Sequence, residues 1–128
     1  MGWLRGSRLG NERGQAMVEM ALVLPLLLAL VMGMIEFGNL YATKIEMNNL
    51  ARQAVRTAVV GSSTDDGALI TKMEDLAGEL GMSGVEVEII RSDPDVTATV
   101  TYDAPLITGY IIGTGTKDLE SVATMKAE

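Results

Sequence analysis

The chain has 128 residues, with 10 Lys+Arg against 17 Asp+Glu and a formal net charge of −7. This size allows one domain with an appendage and excludes a multidomain enzyme. The acidic balance disfavours nucleic acid, whose binders need a basic face to displace phosphate counterions. Cysteine and histidine are both absent, which excludes thiolate chemistry, disulfides, Cys/His zinc sites and imidazole catalysis together.

The charge is unevenly distributed. Residues 1–14 carry Arg5, Arg8 and Arg13 against Glu12, a net +2. From Met20 to Ile35 there are 16 positions without a charge, and the 20-residue window starting at Ala16 contains only Glu19. At about 1.5 Å per residue that window spans roughly 30 Å, the thickness of a bilayer's hydrocarbon core. Residues 15–60 are neutral in sum, whereas residues 61–128 hold 4 basic and 13 acidic side chains, a net −9. A basic leader, an apolar span and an acidic body predict a single-span membrane protein. Three arginines precede the span and only Lys44 follows it closely. The positive-inside rule therefore puts the N-terminus in the cytoplasm and the acidic body outside. A cleaved secretory signal fits less well. Its apolar region runs about 7–15 residues and ends in a small-x-small site, which the Gly33–Gly38 stretch does not offer. A core helix of a soluble protein also fits poorly, because so short a remainder cannot cover a helix apolar on every side.

The span is expected to continue as one helix from Gln15 to Val60, loosened near Ala21 by Pro25. Beyond the membrane, Met47, Ala51, Ala54 and Ala58 fall on one face, with Glu46, Asn49, Gln53 and Arg56 on another. The Gly61–Gly67 cluster of glycine and short polar residues ends this helix as a hinge. Asp65 or Asp66 then caps a short helix through Leu80, stopped by Gly81. Its buried side is expected to carry Leu69, Ile70, Met73, Leu76, Ala77 and Leu80. Val85–Ile89 and Val96–Tyr102 alternate with period two around a turn at Ser92–Asp95, and so predict a hairpin. Asp103-Ala104-Pro105 reads as a break, Leu106–Lys117 as a loop facing lipid or a partner, and Leu119–Met125 as a last strand. The expected fold class is α+β. A long N-terminal helix precedes a small head of one helix and three or four antiparallel strands. The segments are 1–14 (basic cytoplasmic leader), 15–38 (transmembrane helix), 39–60 (helical stalk) and 61–128 (exported acidic head).

Few residues carry chemistry. Gly113–Lys117 lacks the spacing of a phosphate-binding loop. Asp65/Asp66 and Asp93/Asp95 lack the ligand series of a calcium loop, and turn chemistry accounts for them. No cofactor, metal site or catalytic residue is expected. Glu19 stands out because a carboxylate inside an apolar window is expensive and commonly functional; the alternative is that it lies at the headgroup level. A basic leader ending in Arg13-Gly14, then four residues, Glu19 and a long apolar helix, is the arrangement of a type IV prepilin processing site. More narrowly, RGQAMVEMALVLPLLL (residues 13–28) followed by GMIEFG (residues 33–38) resembles the N-terminal signature of the TadE-like family. These are minor pilins or pseudopilins of the tight-adherence (Flp pilus) machinery.

That resemblance implies cleavage by a prepilin peptidase between Gly14 and Gln15. It makes Glu19 the processing and assembly carboxylate, and Glu36 the family's second acidic position, with no role evident from the residues. It also implies partners among other pilin-like subunits and inner-membrane assembly proteins. The related TadG-like proteins share this start but carry a larger exported region, so the TadE-like branch is expected. The competing reading is an unprocessed single-pass anchor whose extracytoplasmic head acts as sensor or tether.

Overall fold

A computed structural model describes residues 8–61, 65–109, 113 and 115–127. The chain divides into two compact units, Met1–Ile35 and Glu36–Glu128. Five elements follow in order: α1 (Arg8–Val60), α2 (Asp66–Glu79), β1 (Glu86–Ser92), β2 (Asp95–Pro105) and β3 (Thr116–Lys126). The fold class is α+β, a long apolar N-terminal helix followed by a second helix and one antiparallel sheet.

In the first unit α1 starts at Arg8, earlier than the expected Gln15, and continues through Pro25. Proline has no N–H to give the carbonyl one turn back, a loss that a spanning helix tolerates.

In the second unit the same helix turns amphipathic. Met47, Leu50, Ala51, Ala54, Val55 and Ala58 are buried, while Asn49, Gln53 and Arg56 are exposed. The three- and four-residue steps between the buried positions place them on one stripe of a 3.6-residue helix. This stripe, the buried side of α2 and the inward positions of the sheet form one core. Residues 39–60, read from sequence as a stalk, thus supply one wall of the head's own interior.

Asp65 caps α2 by accepting from the Gly67 N–H at 3.2 Å. At the other end Gly81 takes φ 85°, a left-handed conformation that glycine adopts without a Cβ penalty. The Gly81 N–H bonds the Gly78 carbonyl and the Met82 N–H reaches back to Ala77 at 2.9 Å, the paired bonds of a Schellman ending. Leu69, Met73 and Ala77 are buried and Ile70 and Leu76 pack at the core's margin. Leu80, expected inside, is 53% exposed because the helix terminates beneath it. Residues 62–64 of the expected hinge lie outside the described residues, and Gly67 belongs to α2 rather than to a linker.

The sheet is three-stranded with order β1-β2-β3. The hairpin forms as expected, with Ser92 opposite Asp95 and Val87 opposite Val100. The strand boundaries differ: β1 runs to Ser92 rather than ending at Ile89. Asp103-Ala104-Pro105 does not break β2; alternation persists to a buried Ala104, and the strand ends at Pro105. β3 begins at Thr116 rather than Leu119, since the longer β2 offers it partners from Pro105 to Asp95. A proline at the terminal position forfeits only the last ladder bond.

Three polar contacts lay α1 along this sheet. The Thr108 N–H donates to Glu36, Ser121 on β3 donates its hydroxyl to Asn48, and Arg91 on β1 donates to the Ala58 carbonyl at 3.2 Å. Arg91 also grips Asp66 at 2.6 Å through Nη2 and at 3.0 Å through Nε. One guanidinium therefore serves a C-terminal carbonyl of α1 and the first residue of α2, each end receiving the charge its peptide dipoles favour. The Asp66 carboxyl is held below its ordinary range by the Arg91 hydrogen bonds, against the cost of desolvation.

If residues 39–60 are core rather than free stalk, truncation on the two faces must differ. Met47→Ala, at a position with no exposure, should cost about 2–5 kcal/mol of head stability. Gln53→Ala should stay within about 0.5 kcal/mol. Denaturant unfolding of the detergent-solubilised chain, followed by the sheet's circular dichroism, measures both. Equal small effects would return this segment to a solvated stalk.

Candidate membrane anchor and exit site

The apolar part of α1 is long enough to cross a membrane, and none of it is buried by the protein. Leu22, Leu26 and Met17 are each more than 70% exposed. Among these side chains no partner element shields them, so an apolar medium is the environment that matches them. Gly14, Gln15 and Glu19 all lie on this helix and are exposed. A Cβ built on Gly14 meets nothing within 4 Å, so the fold itself does not require glycine there. Glu19 pairs with no charged side chain among the described residues.

Glu36 is different. It is the first residue of the second unit, one position after the charge-free run, and is only 8% exposed. Its Oε2 accepts from the backbone N–H of Thr108 at 3.0 Å and from the Thr108 hydroxyl. Its Oε1 is buried and accepts no bond from a described residue. The carboxylate thus ties the β2–β3 loop to the helix where the apolar run ends. Sequence reasoning singled out Glu36 without a role and passed over Thr108, its partner 72 residues away. The one local signal was the absence of charge in the loop that carries Thr108.

The other chemistry-bearing positions are separated. Asp93 lies in the hairpin turn and Asp95 begins β2. Gly113 takes φ 81° as a loop glycine, Lys117 belongs to β3, and Thr114 lies outside the described residues. No group of three His, Cys, Asp or Glu suited to a metal ion occurs among the described residues. The nearest approach to an acidic site is a shallow depression lined by Gly84, Glu86, Thr101, Tyr102 and Asp103. Asp103 stands directly opposite Asp118 in the β2–β3 ladder. A hydrogen bond and the charge of Asp118, with burial and Glu86 adding, raise the Asp103 carboxyl above its ordinary range.

The arrangement is that of a membrane anchor joined to a small α+β body, with a buried carboxylate at the junction. Comparison with known families gives the class a closer description. Residues 14–56 match the family model of TadE-like protein, about a third of the chain. The match covers the whole span, Glu19, Glu36 and most of the core-facing stretch of α1. It links the protein to the Tad/Flp pilus systems. Comparison with curated proteins and with solved structures finds no match.

The Asp103–Asp118 pair makes a pH prediction. A carboxyl whose folded value is raised favours folding below its unfolded value, and that contribution is lost as pH rises through the folded value. Asp103→Asn should therefore raise the melting temperature of the head at neutral pH. The gain should shrink as the pH is lowered from about 7 to about 4. Thermal unfolding of the two proteins across that range checks it; a gain that grows on acidification would contradict the assignment.

Proposed function

We propose that this protein is a non-enzymatic, membrane-anchored pilin-like subunit of a Flp/tight-adherence pilus assembly or secretion system, processed by a prepilin peptidase. The observation that carries this reading is Arg13 followed in order by Gly14, Glu19, an uninterrupted apolar run and Glu36, all from Gly14 onward inside the segment that matches the TadE-like family. In this reading the peptidase removes residues 1–14 at the cytoplasmic face of the inner membrane. The mature helix stays in the bilayer with the acidic head outside, and associates laterally with pilin-like subunits and assembly proteins. Whether the subunit primes a filament or enters it and contributes to adhesion is decided by its presence in sheared surface filaments.

Each role has a physical rationale. A glycine before the scissile bond leaves the carbonyl uncrowded, and an unfavourable helix residue there eases the local opening that cleavage requires. Cleavage would expose a new amine at Gln15. Glu19, costly when single in hydrocarbon, would be offset by that amine on a neighbouring subunit.

Gly14→Val tests processing, since a Cβ at this position meets nothing within 4 Å beyond the helix's own nearby backbone. Intact-mass measurement on protein from native membranes should find wild type shortened by residues 1–14 and Gly14→Val at full length. Wild type recovered at full length would leave an unprocessed anchor, with a sensor or tether head, as the better reading; equal shortening of both would show that cleavage does not depend on Gly14 and overturn this processing site.

Glu19→Leu tests assembly. Removing a charge that costs about 2–3 kcal/mol at the bilayer centre on insertion scales should leave membrane content at least as high. Co-isolation with partner subunits should fall, because the Gln15 amine loses its counter-charge. The comparison is made on material confirmed by mass to be cleaved. Undiminished co-isolation would remove Glu19 from the assembly contact.

A further inference from the structure

We infer that the β2–β3 loop, at Leu106 and Ile107, is a second membrane contact, an apolar foot that Glu36 holds in the lipid interface beside the span's exit.

Helix length sets the depth of each residue in the bilayer. The 20-residue window from Ala16 to Ile35 matches a hydrocarbon core of about 30 Å, so Ile35 stands at its edge. The headgroup layer adds roughly 5–8 Å on each side, which four further helical residues at about 1.5 Å each would cross. Glu36 is the first of them. The exposed Phe37, 80% accessible, lies within that stretch, and Tyr41, 68% accessible, follows two residues beyond its end. Aromatic side chains collect at that level of a bilayer because it suits a ring that is apolar in body and polar at its edge.

The loop is brought to this level by bonding, not by chain proximity. Thr108 gives Glu36 both its backbone N–H and its hydroxyl. Ile107 is the adjacent residue, 43% exposed, and Leu106 beside it is half-buried. The Leu106 N–H is held by the Gly115 carbonyl at 3.1 Å and the Gly109 N–H by the Leu106 carbonyl at 3.1 Å. The loop's base is therefore closed, and its exposed apolar side chain is not a fraying end.

Composition selects the occupant. Residues 104–116 contain no charged side chain, although residues 61–128 as a whole carry a net −9. A surface for a charged protein partner would use the acidic side chains that this loop lacks. A lipid interface disfavours charge and accepts isoleucine and leucine. Because the head is acidic, the contact is apolar and independent of anionic headgroups. Its consequence is restraint: span and foot together limit the head's rotation against the bilayer, presenting a constant face to a neighbour.

The inference rests on the span being in the membrane, and not on processing or on orientation. The cysteine-free chain permits a direct test. Full-length protein in phosphatidylcholine vesicles carries a single environment-sensitive fluorophore at Ile107→Cys, Leu27→Cys or Ala127→Cys. The last position is exposed and bonds to Pro94 at the hairpin end of the sheet, opposite the foot. Quenching is compared between a nitroxide lipid and aqueous iodide.

Lipid quenching at 107 and 27, several-fold above that at 127, with iodide protection at both, is the expected result. A probe at 107 behaving like the one at 127 while the one at 27 is quenched by lipid would overturn the foot alone. Protection at 107 from both quenchers would also overturn it, assigning the loop to a protein contact. Failure of lipid quenching at both 27 and 107 would overturn the span reading and the foot with it. Adding Glu36→Ala should reduce lipid quenching at 107 and leave 27 unchanged, whereas Glu36→Gln, which keeps an acceptor for Thr108, should retain it. Unchanged quenching at 107 in Glu36→Ala would overturn the tether.

Discussion

The interaction on which the rest depends is the seating of the second half of α1 on the sheet. Met47, Ala51, Ala54 and Ala58 have no exposed surface, and four of the inward sheet residues that share their core are Val96, Ala98, Val100 and Ala104. Mostly small aliphatic side chains fill this core from both sides, with Tyr102 adding a buried aromatic ring. The chain has few such rings to use, with 4% aromatic residues. Without this helix a three-stranded sheet and a 14-residue helix would have little to bury. The anchor and the head are thus built on one continuous element, and α1 serves two solvents in succession.

The transition between those solvents is abrupt. From Met20 to Ile35 the helix carries no charge and its apolar side chains are largely exposed; from Glu36 onward one face is covered by protein, and the exposed faces mix charged and amide side chains with Phe37 and Tyr41. Glu36 sits at the change, buried by the loop that Thr108 belongs to. A carboxylate there stays satisfied only while the loop remains docked, since an unpaired buried acceptor is costly. Asn48–Ser121 and Arg91–Ala58 repeat the device further along, so polar side chains set the helix's axial position where alanines alone would allow it to slide. That division of labour, apolar area for cohesion and polar pairs for register, explains why so small a head retains buried polar groups.

Much of this was legible in the residues themselves. A 16-residue charge-free run announces a span, because hydrocarbon excludes charge whatever the tertiary structure. The three- and four-residue spacing from Met47 to Ala58 identified the face that is in fact buried, and Gly81 stops α2 because only a left-handed residue completes its ending. The hairpin around Asp93-Pro94 followed from alternation on each side of a turn-forming pair. In each case the information lies within a few residues, where dihedral preference and solvent contact act.

What the tertiary structure alone decided is what depends on a distant partner. β2 runs on through Asp103-Ala104-Pro105 because β3 is there to pair with it, and β3 starts at Thr116 for the same reason. Leu80 turns outward although it has the right period, since the Schellman ending lifts it off the core. Glu36 could be marked as unusual from its place after the span, but its bond to Thr108 closes a separation of 72 residues that no local pattern encodes. Arg91 likewise joins Asp66 to the end of α1 across three elements. Periodicity tells each residue which side to hide; only the packed chain settles what it meets there, because loop closure and strand pairing are set by the sum of contacts rather than by any one of them.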